Sequence, residues 1–221
     1  MERSEILKIV DHTLLSQTAT AADIIGIVDD GIKYGTASVC IPSCYVTDAV
    51  KHANGKLAIC TVVGFPNGNY TTETKVAETA KALADGAAEI DMVINIGMLK
   101  AKNYDYVLNE IKALKKLCGE RILKVIIETC LLTEEEKIKM CEIVSESGAD
   151  FIKTSTGFST SGATREDIAL FKANVREGLG IKAAGGIRSF DDAEDFIKLG
   201  ATRLGTSSLV KIIKKEQLGT Y

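Results

Sequence analysis

Two lysines lie in strand-like segments whose other residues are small or apolar. Lys153 ends the segment 150–153 just before a run of hydroxyl residues and a glycine, and Lys182 lies in the segment 180–184 just before two glycines. Burial disfavours the charged form of a lysine, and two neighbouring ammonium groups each lower the pKa of the other. A lysine with a lowered pKa is a nucleophile that forms Schiff bases with carbonyl substrates. One such lysine more often packs its stem and exposes its ammonium group, so it is the pair that favours catalysis.

The composition restricts the kind of protein that carries these lysines. The 221 residues have a net charge of −3 and contain no stretch that resembles a linker, which predicts one domain over residues 1–221. This weak charge argues against a general nucleic-acid or membrane partner. The N-terminal segment alternates charged and apolar residues, which is typical of neither a signal peptide nor a membrane span. We therefore expect a cytoplasmic protein.

Cysteine and histidine offer little for a metal site. The six cysteines form no CxxC pair, and in a reducing cytosol they are expected to behave as small buried hydrophobic residues. The two histidines, His12 and His52, are far apart and lack carboxylates at helical spacing. We expect chemistry with no metal and no cofactor.

A weak internal repeat predicts the fold. Four segments begin with a glycine that could end a helix, followed by one or two small residues and a strand pattern. These segments start at Gly35, Gly86, Gly148 and Gly200. Further strand patterns lie at 10–15, 57–63, 122–128 and 181–184, and helical patterns at 72–84, 105–117 and 134–144. Thr133 and Glu136 form a capping-box pattern before the last of these helices. The alternation predicts an α/β fold, a (β/α)8 TIM barrel, over the alternative of an open doubly wound sheet.

The predicted barrel locates the site, because catalytic residues of such barrels lie at the carboxyl ends of the strands. Strand side chains alternate between faces, so Glu89, Asp91, Val93 and Asn95 are expected to point to the barrel interior. An inward Asp91 could neutralise a lysine or relay protons, and both readings stay open.

Two glycine- and serine-rich loops resemble a phosphate cradle. Gly185-Gly186 follows the seventh strand pattern and 205–208 the eighth, where phosphate-binding barrels commonly hold their anion. Glycine also makes turns without any ligand, so the two loops together, rather than either alone, favour a phosphorylated ligand.

From end to end, the chain resembles the deoxyribose-phosphate aldolases, class I Schiff-base aldolases with a (β/α)8 fold. The resemblance rests on the segments 11–15, 62–66, 89–97, 153–158, 182–188 and 205–208. It implies that Lys153 forms the Schiff base, Lys182 tunes it and Asp91 transfers protons. It also implies that Asp11, Thr13 and Cys40 line the pocket, with Thr156, Gly157, Gly185, Gly186, Ser207 and Ser208 toward the phosphate. The chain departs from the family pattern at Pro42, Asn67 and Ser161, which leaves the shape of two loops and the substrate tolerance open.

The resemblance implies reversible cleavage of 2-deoxy-D-ribose 5-phosphate to D-glyceraldehyde 3-phosphate and acetaldehyde. Three alternatives stay open: another Schiff-base aldolase on the same fold, a non-covalent phosphosugar isomerase, and a sensor that binds a phosphorylated ligand without turnover. The sequence does not determine the oligomeric state, for which a homodimer or a homotetramer is open, nor the temperature optimum. The terminal segment 219–221 is either a tail or a strand whose Tyr221 phenol reaches the site.

Overall fold

Eight parallel strands form a closed barrel in the computed structural model of the protein, which describes residues 1–217. The strands are β1 (Val10–Thr13), β2 (Ser38–Ile41), β3 (Ala58–Val63), β4 (Glu89–Val93), β5 (Ile122–Ile126), β6 (Phe151–Lys153), β7 (Gly180–Ala184) and β8 (Arg203–Thr206). Each strand pairs with the next in chain order, and β8 pairs with β1. The predicted (β/α)8 barrel is therefore confirmed, and the open doubly wound sheet was the wrong alternative.

Helices connect the strands and cover the outside of the barrel. Those of the described residues are α1 (Arg3–Leu7), α2 (Ala21–Tyr34), α3 (Val46–Ala53), α4 (Thr72–Ala84), α5 (Ile96–Lys100), α6 (Tyr104–Cys118), α7 (Glu134–Ser147), α8 (Arg165–Asn174), α9 (Phe190–Leu199) and α10 (Leu209–Gln217). Two short 3-10 turns lie at Ser43–Tyr45 and Thr129–Leu131. The predicted helix 72–84 has the bounds of α4, whereas α6 and α7 extend beyond their predicted ranges.

Local sequence signals account for several helix ends. The predicted capping box of α7 is present, since the Thr133 hydroxyl accepts from the Glu136 amide and the Glu136 carboxylate accepts from the Thr133 amide. Gly148, which ends α7, adopts φ 81°, a left-handed conformation that a residue with a Cβ rarely adopts. Gly35 and Gly200 cap α2 and α9 in the same way, whereas Gly86 follows Asp85, the cap of α4.

The predicted inward face of β4 needs one correction. Glu89 and Asp91 point into the barrel, where they contact basic side chains. The prediction for Asn95 is wrong, because β4 ends at Val93 and the Asn95 side chain caps α5 by accepting from the Met98 amide at 3.2 Å. Asparagine favours this capping position, and its local hydrogen bond ends the strand alternation.

The apolar core lies between the barrel and its helices rather than inside the barrel. Fully buried apolar side chains such as Ile24, Ile90 and Phe171 fill this outer layer. The barrel interior instead contains charged side chains, unlike the layers of branched apolar residues that usually fill such barrels. The alternation of the strands therefore separates a mostly apolar outer face from an inner face that carries charged side chains.

Among residues 1–217, no helix combines the length and the apolar character that crossing a membrane requires. The terminal residues Gly219, Thr220 and Tyr221, for which the sequence left two conformations open, lie outside the described residues.

His12 illustrates the outer face of β1. Its side chain is buried and, together with residues of α2 and α10, lines a groove on the outside of the barrel. Burial lowers the pKa of His12 from 6.5 to about 4, although the Asp30 carboxylate, 3.9 Å from Nε2, acts in the opposite direction. Lys211 and Lys214 of α10 lower it further.

We predict that His12 makes the protein less stable in acid. His12 has a pKa of 6.5 in the unfolded chain and of about 4 in the folded chain. The stability that a neutral His12 provides is therefore fully present above pH 6.5 and is lost as the pH falls toward 4. The loss should be on the order of 3 kcal/mol. Chemical denaturation at several pH values, in wild type and His12→Gln, measures it. If both proteins lose equal stability over this interval, His12 does not contribute.

Candidate active site

One carboxylate joins the two lysines that the sequence singled out. Asp91 Oδ2 accepts hydrogen bonds from Lys153 Nζ at 2.6 Å and from Lys182 Nζ at 2.7 Å. The two lysines come from in-register positions of β6 and β7, and Asp91 from β4 across the barrel. Strands β6 and β7 therefore hold both ammonium groups within two hydrogen-bond lengths of each other.

A second layer of charged residues lies beneath this carboxylate. Lys124 Nζ contacts Asp91 Oδ1 at 2.8 Å and Glu89 Oε2 at 2.5 Å. The Arg203 guanidinium contacts Glu89 and Asp11 at 2.6 and 2.7 Å, and the second oxygen of Asp11 binds Lys182. These contacts form a continuous network, which we call the interior charge network.

Sequence reasoning missed Lys124 and Arg203. Lys124 interrupts an apolar strand in the same way as Lys153 and pairs in register with Asp91, so the same signal could have found it. Arg203 opens β8 at the base of the barrel and carries no comparable signal.

The interior charge network has one more basic than acidic group. Its basic members are Lys124, Lys153, Lys182 and Arg203, and its acidic members are Asp11, Glu89 and Asp91. Of the three lysines, Lys153 has the fewest carboxylate contacts, a single one to Asp91, and it alone lines the open cavity. Lys153 is therefore the lysine of the network that combines a single carboxylate partner with access to the cavity.

Neighbours of opposite charge hold Asp91 and Lys182 in their charged forms. Burial alone would raise the pKa of Asp91, but Lys124, Lys153 and Lys182 hold it well below its usual range. Burial alone would lower the pKa of Lys182, but Asp11 and Asp91 raise it above its usual range. The expectation that pairing lowers the pKa of both lysines is therefore wrong for Lys182, because two carboxylates outweigh the neighbouring ammonium groups.

A cavity of about 560 Å³ opens above Lys153 at the carboxyl ends of the strands. Among the residues predicted to bind substrate, those that line it are Thr13, Thr156, Gly157, Gly185, Gly186, Ser207 and Ser208. Asp11 and Cys40 are fully buried and do not line it, which corrects the expectation that they do. Asp11 lies below, bound to Lys182 and Arg203, and Cys40 is paired in register with Cys60 on β3. Asp91 and Lys182 also lie beneath the cavity floor.

One end of the cavity has several donors for an anion. Gly185 and Gly186 both adopt left-handed φ angles near 80°, and Ser207 and Ser208 immediately precede α10. A Cβ on the neighbouring Gly162 would lie 2.4 Å from the Gly185 backbone, so the loop after β6 packs tightly on this turn. The cavity wall also includes Arg188 and Lys211, two cations that sequence reasoning missed. Left-handed glycines, serine hydroxyls and two cations together favour a phosphate group.

Two buried clusters also contain atoms of the types that ligate metals. Cys40, Cys60 and Asp91 form one, Asp11, Cys60 and Glu89 the other, with ligand atoms within 4.8 Å of one another. The carboxylates of both clusters bind lysine or arginine, so a cation would compete with ammonium and guanidinium groups already in place. The Cys60 thiol donates to Asp91 Oδ1 at 3.2 Å, which fits a neutral thiol whose pKa is raised by burial.

Known proteins are similar to this chain over its whole length. A family model described as "DeoC/LacD family aldolase" matches residues 5–214. A deoxyribose-phosphate aldolase of Streptococcus agalactiae serotype V is 57% identical over 223 residues, and one of Clostridium botulinum strain Alaska E43 is 58% identical over 221 residues. Each alignment covers 100% of both proteins.

Solved structures of aldolases have the same fold as this chain. A protein described as "QR15, an Aldolase" superposes with a TM-score of 0.91 at 37% identity, covering 97% of this chain and 98% of that one. The deoxyribose phosphate aldolase of Aeropyrum pernix, described as tetrameric, superposes with a TM-score of 0.90 at 30% identity, covering 98% and 92%.

Proposed function

The chain belongs to the DeoC/LacD family of aldolases, and on this basis we propose that it cleaves 2-deoxy-D-ribose 5-phosphate reversibly to D-glyceraldehyde 3-phosphate and acetaldehyde. The observation that carries the proposal is the position of Lys153. Among the lysines of the interior charge network, Lys153 is the one that lines the cavity. Its single carboxylate partner is Asp91.

Lys153 is the nucleophile of this mechanism. Its neutral amine adds to the C1 aldehyde of the open-chain sugar, and the carbinolamine loses water to give a protonated imine. The imine retains a positive charge next to Asp91, so the carboxylate that bound the ammonium group also stabilises the intermediate. The iminium withdraws electrons from C2 as the C2–C3 bond breaks, which leaves an enamine.

Asp91 and Lys182 handle the protons. Asp91 is ionised and accepts the proton of the C3 hydroxyl through water as glyceraldehyde 3-phosphate forms. Lys182 shares Asp91 Oδ2 and remains charged, so it supports the ionised state of Asp91 and can return a proton to the enamine. Hydrolysis of the resulting imine releases acetaldehyde and restores the Lys153 amine.

The phosphate of the sugar binds at the far end of the cavity. The residues that line the cavity there are Gly157, Gly185, Gly186, Ser207 and Ser208. Thr156 and Thr13 also line the cavity, and the Thr156 amide and hydroxyl donate to Glu128. Asp11 acts through its contacts to Lys182 and Arg203, and Cys40 lies next to Asp91 beneath the floor. A non-covalent isomerase would use the same phosphate loops but would have no need of an amine at the cavity wall.

We also propose that residues 1–221 form one domain and that the enzyme is a cytoplasmic homodimer or homotetramer. The tetrameric relative from Aeropyrum pernix supports an oligomer. Six free cysteines agree with a reducing compartment. We further propose that the enzyme binds a phosphosugar and binds neither nucleic acid nor a membrane.

The first prediction for this function is covalent capture at Lys153. Borohydride added with acetaldehyde should reduce the imine to a stable adduct and end activity, and peptide mass mapping should place the adduct on Lys153. Lys153→Met should show no specific adduct, and EDTA should leave wild-type activity unchanged. An adduct confined to surface lysines, or loss of activity on chelation, would contradict the Schiff-base mechanism.

The second prediction concerns the charge of Lys182. In Lys182→Met, Asp91 Oδ2 binds Lys153 alone and a neighbouring positive charge is lost, so both changes favour the ammonium form of Lys153. The pH midpoint of borohydride trapping should shift to alkaline pH by about one unit or more. Lys182→Arg, which retains the charge, is the control and should shift less. An unchanged midpoint in Lys182→Met would refute the electrostatic role and leave Lys182 as a proton donor or a packing residue.

The third prediction tests the phosphate end. Ser208→Asp places an anion beside the bound phosphate and should weaken binding of the phosphorylated sugar by about 1 to 4 kcal/mol. Unphosphorylated 2-deoxyribose should be affected much less, and Ser208→Asn, of similar size but neutral, is the control. Comparing kcat/KM for both sugars measures the effect. Equal losses for the two sugars would mean that Ser208 supports the fold rather than the phosphate.

A further inference from the structure

Glu128 adopts a backbone conformation that its residue type disfavours. It lies just after β5 with φ 54° and ψ 66°, in the left-handed region. A residue with a long side chain seldom adopts this region, and such strain persists only where the surroundings enforce it. In the described chain, Asn54 and Lys102 are the other non-glycine residues with positive φ, and both are exposed. Glu128 differs from them because it is 2% exposed.

The strain arises from a bulge at the end of β5. The Ile127 amide donates to the Lys153 carbonyl at 3.1 Å, and the Thr129 amide donates to the Thr154 carbonyl at 2.9 Å. In a regular parallel ladder, amides two residues apart reach carbonyls that are also two residues apart. Here the carbonyls belong to consecutive residues, so Glu128 is the extra residue of a β-bulge. Bulges near active sites commonly redirect a side chain.

The redirected carboxylate binds one residue of the cavity wall. The Thr156 amide donates to both Glu128 oxygens, at 3.2 and 3.3 Å, and the Thr156 hydroxyl donates to Oε2 at 2.5 Å. The hydroxyl in turn accepts from the Phe158 amide at 3.0 Å. The Thr156 hydroxyl donates its proton to Glu128, so a lone pair of its oxygen can accept from the Phe158 amide. This second hydrogen bond closes the turn, in which Gly157 adopts φ 83°.

This turn lies between the Schiff-base strand and the phosphate end. Thr156, Gly157 and Phe158 all line the cavity, three to five residues after Lys153. The ring of Phe158 also contacts Phe65 edge-on, with centroids 5.3 Å apart. Glu128 itself does not line the cavity, so its effect on substrate passes through the turn.

We propose that Glu128 is a positioning residue whose carboxylate sets the turn Thr156–Phe158 at the distance from Lys153 that the phosphorylated substrate requires. This inference rests on the proposed function, because it assumes that the substrate spans the cavity from Lys153 to the phosphate loops. The bulge places the carboxylate, the carboxylate fixes Thr156, and Thr156 fixes the backbone that faces the ligand.

Replacement by glycine separates positioning from folding. Glu128→Gly relieves the backbone strain and removes the carboxylate, so the folded state should persist while the turn loses its anchor. We expect kcat/KM for 2-deoxy-D-ribose 5-phosphate to fall about 10- to 100-fold, mainly through KM. Glu128→Gln retains a carbonyl oxygen for the Thr156 amide and should recover most of the loss. Lys102→Gly relieves comparable strain at a residue that does not line the cavity and should retain wild-type kinetics.

Two readouts do not depend on cleavage of this sugar. Hydrogen exchange of the Thr156 amide should accelerate at least about tenfold in Glu128→Gly relative to amides of β6, because its acceptor is gone. Borohydride trapping of acetaldehyde on Lys153 should remain within about threefold of wild type, because the Lys153–Asp91 contact does not include Glu128. These two measurements test Glu128 even if wild type fails to cleave 2-deoxy-D-ribose 5-phosphate, which would instead refute the proposed function.

Two results would overturn the inference. One is a Glu128→Gly enzyme with wild-type KM and an equally protected Thr156 amide. The other is a loss of kcat/KM and of acetaldehyde trapping that both follow the fraction of unfolded protein, since this would make Glu128 a residue of general stability.

Discussion

The site depends on a carboxylate shared by three ammonium groups. Asp91 accepts from Lys124, Lys153 and Lys182 in the middle of the barrel, where little water screens the charges. Removing one member of a buried ion pair commonly costs about 3 to 5 kcal/mol, because its partner is left unpaired. Asp91 also connects the two parts of the site. Lys124, Glu89 and Arg203 lie beneath it, and Lys153 and the cavity lie above it.

This arrangement distinguishes Lys153 from the other two lysines of the interior charge network. Lys124 and Lys182 are fully buried and each contacts more than one carboxylate, so their pKa values are raised despite burial. Lys153 has one carboxylate contact and faces the cavity, in a network with one excess positive charge. The number of carboxylate contacts and the access to the cavity therefore single out Lys153 as the amine on which the proposed mechanism rests.

The loops above the barrel depend on the barrel in a second way. The bulge at Glu128 shifts the pairing of β5 with β6 by one residue directly beside Lys153. The same short stretch of β6 thus carries the amine and, through Thr156, the wall of the cavity. The backbone strain at Glu128 is offset by its hydrogen bonds to Thr156. This strain lies beside Lys153 rather than in the apolar layer that stabilises the fold.

The sequence by itself predicted the barrel, Lys153 and Lys182, and the glycines and serines that line one end of the cavity. The reason is that these features follow from local patterns: glycines that end helices, strand alternation at Asp91, and glycines and serines after the last two strands. Lys153, Asp91 and Lys182 could therefore be placed together before any contact was known, because parallel strands bring their carboxyl ends to one face.

Only the tertiary structure decided which charges meet. Lys124 and Arg203 lie far apart in the sequence, and their contacts with Asp11, Glu89 and Asp91 depend on barrel register, which sequence spacing does not specify. The same register placed Asp11 and Cys40 beneath the cavity and raised the pKa of Lys182, against the expectation. The bulge at Glu128 likewise depends on how two strands align. Local sequence sets the direction of each side chain, but electrostatics depends on distances across the barrel, and these exist only once it has closed.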